Sequence, residues 1–203
     1  MKNDVMRIRP ARPEDASAVA DVYVRSWRAA FVGLVPHAYL NAMDPGREEP
    51  GWKALIAEAR WPSSGVLVAE SESESESESE SESEPEPEVE VGTAGTTGIA
   101  GIVGFTGFGP SPEAPAVAEI GTLYALPEVW SSGVGRQLMR GVLTTLDRAA
   151  HYTHATLWVL EANARARRFY EAAGWSPDGA SVTDTTGGAS LGKLRYRRAL
   201  GEA

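Results

Sequence analysis

Val117-Ala118-Glu119-Ile120-Gly121-Thr122-Leu123-Tyr124-Ala125, running on through Leu126-Pro127-Glu128-Val129-Trp130-Ser131-Ser132-Gly133-Val134-Gly135-Arg136, is the stretch on which the fold turns. Its first nine residues read as a β-strand. Pro127 to Gly133 read as a loop, and Val134, Leu138, Val142 and Leu146 then recur every four residues as the buried stripe of a helix. A strand, a glycine-bearing loop and a helix in that order leave backbone N–H groups exposed where the helix dipole favours an anion. The junction is therefore a candidate phosphate site.

Reading outward, the following elements keep the alternation. Ala155 to Leu160 reads as the next strand, Asn163 to Ala173 as a helix stopped by Gly174, and Lys193 to Leu200 as a last strand. Toward the N-terminus, Val5 to Arg9 is a short strand, and Pro13-Glu14-Asp15 opens a helix whose apolar face is Val19, Val22, Tyr23, Ser26 and Trp27. Pro36 to Met43 and Trp52 to Ala59 predict shorter helices, and Val66 to Ala69 and Ile99 to Phe108 predict strands. Gly98, Gly101, Gly104, Gly107 and Gly109 make a bulge or bend in the second of these expected. Strands outnumber helices and alternate with them. The class is α+β or α/β with a mixed sheet.

The chain has 203 residues, 42% of them hydrophobic, which suits a single domain over residues 1–203. It has no cysteine, which excludes a thiol nucleophile, a disulfide framework and a thiolate metal site. No run approaches the roughly 20 apolar residues of a membrane span, so the expectation is a cytoplasmic protein without a membrane partner. The net charge of -9 is concentrated: Glu70 to Glu90 holds eleven of the 28 acidic side chains, leaving 17 against 19 basic ones elsewhere. No dense basic stripe argues for nucleic acid. Ser71 to Glu84 is a strict Ser-Glu repeat, and the low-complexity insertion at about 70–90 reads as a solvated loop; docking of a basic partner or loose cation binding is the alternative.

Several motifs lead nowhere. Gly188-Ala189-Ser190-Leu191-Gly192 spells a nucleophile elbow, but all three histidines precede it, so it reads as a turn. His151 and His154, at the end of a predicted helix, have no third ligand nearby, and no metal is expected. The glycine loop is no better as a dinucleotide fingerprint, which needs a third glycine near Leu138 or Met139, or as a Walker loop, which needs Gly-Lys-Ser/Thr. A pyrophosphate loop for coenzyme A and a plain glycine turn remain.

At these residues the chain resembles a known family. Leu123-Tyr124-Ala125-Leu126-Pro127-Glu128 with Gly133-Val134-Gly135-Arg136 is similar to the strand-and-loop motif of the GNAT superfamily of acetyl-CoA-dependent N-acetyltransferases. Leu157 to Trp175, with Asn163, Ala166, Phe169-Tyr170 and Gly174-Trp175 in register, resembles a second motif of that family. Ile8-Arg9-Pro10-Ala11 and Ser26 to Phe31 look like its opening strand and helix, while the acidic insertion and a loop from Asp178 to Gly192 lie outside the resemblance. Trp130 stands where Gln or Arg is common in the family, and Ser132 where Arg, Lys or Gly is common.

The resemblance implies a central mixed, largely antiparallel sheet and acetyl-CoA as co-substrate. It implies that Leu123, Tyr124 and Ala125 meet the pantetheine arm, the first and last through their backbones, and that Ser131, Ser132, Gly133, Val134, Gly135 and Arg136 hold the pyrophosphate. Asn163 would contact the same arm. Tyr170 matches the family's acid, a phenol able to protonate the departing thiolate. For the base, Glu119 is the choice and Glu161 the nearest rival. Arg165, Arg167 and Arg168 could meet a ribose phosphate or form an exposed face, and Trp27, Arg28 and Tyr39 fall in the region covering the acceptor. The implied function is direct acetyl transfer to a primary amine, on a small molecule, a protein N-terminus or a lysine. A coenzyme-A-binding regulatory module is the alternative, and a homodimer is left open.

Overall fold

The computed structural model describes residues 5–72, 101–149 and 151–201. Strands β1 (Val5–Pro10), β2 (Gly65–Glu72), β3 (Gly101–Ser111), β4 (Ala114–Ala125), β5 (His154–Leu160), β6 (Ser176–Thr186) and β7 (Ala189–Ala199) form one sheet in the order β1-β2-β3-β4-β5-β7-β6. Every neighbouring pair is antiparallel except β4 with β5. The helices are α1 (Ala16–Ala30), α2 (His37–Ala42), α3 (Pro45–Ala57), α4 (Val134–Arg148) and α5 (Ala164–Ala172). Helix α4 links the parallel pair, as it must, since parallel neighbours need a crossover where antiparallel ones can turn directly. The sheet is mixed and mainly antiparallel, as anticipated.

Alternation along β3 assigns the helices to the two faces of the sheet. A Cβ on Gly104 would lie 3.0 Å from Val134 Cγ1 and 3.2 Å from Leu138 Cδ1, so the bare glycine lets α4 seat closely on that face. The next residue, Phe105, points the other way and packs edge-on against Trp52 of α3 at 4.9 Å between ring centroids. Tyr23 of α1 meets both Trp52 and Tyr124 at 5.5 Å, so α1 and α3 share the face opposite α4. The main core joins Val68, Phe105, Leu138, Val142, Leu157 and Tyr196, all nearly inaccessible to solvent.

Four expectations need correction. The acidic repeat does not begin as loop: β2 continues through Ser71 and Glu72, which pair with Met6 and Val5 of β1. Glu70, which immediately precedes it, is held by Arg9 Nε at 2.9 Å, and Arg9 also binds Asp15 at 2.7 Å, so β1 supplies a countercharge where the acidic run begins. The expected loop from Asp178 to Gly192 is instead a hairpin of β6 and β7. Gly187 and Gly188, with φ of 58° and 85°, make its two-residue turn. Helix α3 starts at Pro45, seven residues before the expected Trp52: Asp44 accepts hydrogen bonds from the N–H groups of Gly46 and Arg47, Pro45 takes the first helical position, and Pro50 sits within the helix. Finally, His151 and His154 are not on a helix end, because α4 stops at Arg148 and His154 opens β5. Most of the Ser-Glu repeat, from Ser73 onward, lies outside the described residues, as does Ile99 at the expected start of β3.

Candidate active site

The site originates in an interruption of the sheet. The ladder between β4 and β5 has three rungs, Val117 with His154, Ala118 with Ala155 and Glu119 with Thr156, and beyond them the strands separate. Leu126 N–H donates to Val103 O at 2.9 Å, so Leu126 and Tyr124 are in hydrogen-bonding register with β3. The backbone groups of Leu123 and Ala125 then point away from β3, toward the opened fork.

A cavity of about 520 Å³ fills this fork. Its walls come from Ser26, Ala29, Ala30 and Phe31 of α1, from Leu123, Tyr124 and Ala125 of β4, and from Trp130, Ser131, Gly133, Gly135 and Arg136 at the start of α4. Asn163, Arg165, Ala166, Phe169 and Tyr170 close the α5 side. The cavity thus reaches both faces of the sheet. The charged side chains in its described wall are Arg136 and Arg165, which suit an anionic ligand, and the first N–H groups of α4 open onto the same end.

The loop that makes this end carries two residues with left-handed backbone, Ser131 at φ 68° and Gly133 at φ 101°. Ser132, exposed, donates its hydroxyl to Val129 O at 2.7 Å within the turn, and Val134 is buried in the core, so neither lines the cavity. At Gly135 a Cβ would lie 3.4 Å from the Phe169 ring, an ordinary contact, so α5 packs here closely enough that only a side chain larger than alanine would push against it. Asn163 caps α5 by accepting from Ala166 N–H at 3.0 Å, which engages its carbonyl oxygen and leaves the amide NH₂ beside the cavity.

Two phenols face the cavity from opposite walls. Tyr170 of α5 lies 6.3 Å from Tyr196 and 6.4 Å from Trp175 between ring centroids, and burial pushes its hydroxyl up to about 12. It is protonated at neutral pH. Tyr196 fixes the helix beneath it: its hydroxyl donates to Glu171 at 2.8 Å and accepts from Arg167 Nε at 3.2 Å. Tyr124, from β4, accepts a hydrogen bond from Trp27 Nε1 at 3.0 Å, and burial raises its hydroxyl well above the ordinary phenol value.

Glu119 occupies the base of the fork, four residues before Leu123, roughly 13 Å along the strand, and is not in the cavity wall. It is half-buried, and burial raises its carboxyl above the usual range, with Glu113 adding to the rise and Arg195 opposing it. Glu161 is exposed at the end of β5, beside Gly192. Arg28 donates to the carbonyls of Leu40 and Met43 and so ties α2 to α1, while Tyr39 packs against Gly187 of the β6–β7 turn. Arg167 is tied to Tyr196, and Arg168 is exposed.

Sequence reasoning set Ser26 on the inward face of α1 but missed what its hydroxyl binds, and it missed the partners of Trp130. Ser26 Oγ donates to Ala125 O at 3.0 Å, Trp130 Nε1 donates to the same carbonyl at 2.8 Å, and the Arg165 guanidinium lies 4.0 Å over the Trp130 ring. The one signal was Trp130 itself, out of pattern in its loop.

The sheet is split between two parallel strands, with helix-start amides and a buried phenol at the split. A sequence-family model described as the Acetyltransferase (GNAT) family matches residues 52–175, more than half the chain, and the chain belongs to that family. Solved structures share the fold at low identity. The yncA protein of Salmonella typhimurium, determined with its cofactor acetyl-CoA, is 17% identical with a TM-score of 0.62, over 98% of this chain and 95% of that one. The PaiA N-acetyltransferase of Thermoplasma acidophilum, in complex with coenzyme A, is 16% identical with a TM-score of 0.61, over 96% and 99%. An N-acetyltransferase from Staphylococcus aureus Mu50 is 16% identical with a TM-score of 0.63, over 96% and 98%. No curated protein matches the sequence. Among the described residues no helix is long and apolar enough to cross a membrane.

Proposed function

We propose that this chain is an acetyl-CoA-dependent N-acetyltransferase that passes the acetyl group directly to a primary amine, on a small molecule or on a protein N-terminus or lysine. The observation that carries the reading is the continuity of one cavity from the amides at the start of α4, along the outward backbone of Leu123 and Ala125, to the Tyr170 hydroxyl. The loop from Ser131 to Arg136 receives the pyrophosphate through main-chain N–H groups, with Arg136 adding charge. Leu123 and Ala125 align the arm as an added strand would align. The amine nitrogen attacks the thioester carbonyl carbon and the carbon–sulfur bond breaks. Tyr170 donates a hydrogen bond to the departing thiolate as charge develops on sulfur and is the source of the proton it finally takes up, and Glu119 takes the amine proton through water. Without a cysteine in the chain, no acyl-thiol intermediate on the protein intervenes.

Titration calorimetry with acetyl-CoA, followed by acceptor-dependent thiol release across amino acids, polyamines, aromatic amines and peptides, tests the reading. Saturable binding with thiol release on one class of amine supports it. No binding would refute it. A second reading, a coenzyme-binding module without turnover, is favoured by one observation, the position of Glu119 outside the cavity wall, and is identified by tight binding with no thiol release for any amine.

A further inference from the structure

The carbonyl of Ala125 is the point at which the open fork closes on itself. Its direction is set by the ladder: Tyr124 and Leu126 pair with β3, so the Ala125 C=O faces the cavity, where β5 has already diverged. An oxygen in that position offers two lone pairs to whatever lies in the fork. Two donors from the chain already fill them, Ser26 Oγ–H at 3.0 Å and Trp130 Nε1–H at 2.8 Å.

Trp130 does more than satisfy a carbonyl. Its ring carries the Arg165 guanidinium at 4.0 Å, and Arg165 is rooted in the first turn of α5, on the wall opposite β4. The indole therefore bridges the two sides of the cavity, hydrogen-bonded at one edge to β4 and stacked on its face by α5. Trp130 and Arg165 are both part of the cavity wall. A ligand that runs from the α4 amides toward Tyr170 in extended form must pass Ala125, and there it meets a hydrogen bond already made.

We propose that Trp130 is an internal competitor for the coenzyme arm: its indole N–H holds the Ala125 carbonyl in the free protein and must leave for the arm to pair with β4. The inference rests on the coenzyme reading above and adds to it a residue that sets affinity from within the chain. Exit of the indole costs one hydrogen bond and one cation–π contact, both formed only in the free protein. Acetyl-CoA consequently binds more weakly than the bare β4 edge would allow. Arg165, once the indole has moved, is freed from the stack at the end of the cavity that receives phosphate.

The test compares acetyl-CoA binding to the wild type and to Trp130→Phe, which keeps a ring for Arg165 to stack on but cannot donate. The variant should bind about fivefold more tightly, the worth of one net hydrogen bond. Equal or weaker binding would overturn the proposal, because a tryptophan that helps to hold the coenzyme loses affinity when trimmed. A second measurement needs no altered affinity. The Trp130 indole N–H resonance, identified by its absence from the variant, should be protected from solvent exchange in free protein and should shift and lose protection at saturating acetyl-CoA. A resonance unmoved by bound coenzyme would overturn the competition. Binding to the variant alone would support both readings, whereas binding to neither protein would retire the coenzyme reading and this inference with it.

Discussion

Replacing Tyr170 by Phe removes one oxygen from the cavity wall and leaves the ring between Phe169, Trp175 and Tyr196 in place. Because burial pushes the phenol up to about 12, it is fully protonated at working pH and available as a donor. That same shift limits what it can do. Handing a proton from a group at about 12 to an alkyl thiolate of about 8.5 runs uphill by roughly 5 kcal/mol in water-like conditions, so full transfer needs a thiolate whose own basicity burial has raised. The larger share of its effect is then a hydrogen bond to charge developing on sulfur, worth about 3 kcal/mol when one such donor is deleted. The variant should turn over about 100-fold more slowly, with acetyl-CoA affinity nearly unchanged and stability lower by no more than about 1 kcal/mol. Steady-state thiol release, thermal unfolding and calorimetry on the two proteins measure the three quantities, and the cysteine-free chain contributes no thiol of its own. A drop smaller than tenfold in a normally folded variant would refute Tyr170 as the donor and leave water or the acceptor in that role.

Glu119→Gln should abolish the acidic limb of the kcat/KM profile, a limb displaced above the ordinary carboxylate value because burial and Glu113 raise the group; activity falls as pH drops through that value, and an unchanged limb would acquit Glu119 as base. Gly135→Val should cost about 1–3 kcal/mol of stability and weaken acetyl-CoA binding by pushing Phe169 outward, while Gly135→Ala, in ordinary contact with that ring, should unfold within about 1 kcal/mol of wild type. Equal melting of all three proteins would remove the packing argument. Deleting residues 73–84 should leave stability within about 0.5 kcal/mol, whereas a deletion that starts at Ser71 removes two rungs between β1 and β2 and should cost at least about 1 kcal/mol, read as a difference in denaturant midpoint.

The parts of the molecule that could be read from the chain are those where local pattern and tertiary demand agree. Helix α4 carries its four-residue apolar stripe into the core without compromise, and Val134, Leu138, Val142 and Leu146 are all buried. The resemblance at Leu123 to Arg136 and at Asn163 to Tyr170 brought two distant segments to one cavity before any geometry was available. Local signals misled where a remote partner overrides them. Glu70 to Glu72 reads as repelling charge until Arg9 is brought across from β1. Thr183, Asp184, Thr185 and Thr186 read as loop because both faces are polar, yet they pair with β7 at the sheet edge, where strand formation needs little burial. The Trp130 bridge was illegible for a different reason: its two partners come from β4 and α5, 5 and 35 residues along the chain, and an indole donor leaves no mark in the pattern of either.

The three-rung ladder between β4 and β5 has a consequence for how the protein comes apart. Helices α1, α3 and α4 pack mainly on β2, β3 and β4, with α4 also reaching β1, while β5, β7 and β6 form an antiparallel trio of their own. The backbone seam between the two sets of strands is the shortest in the sheet, although Leu157 and Tyr196 share the main core with Phe105 and Leu138, so its amides are where two cooperative units would divide in native-state hydrogen exchange. Protection in β5 and β7 should then fall as one isotherm in rising denaturant, at lower free energy than β3 and β4. A ligand lying in the fork would tie the two isotherms together, making their convergence a readout of occupancy that requires neither turnover nor knowledge of the acceptor.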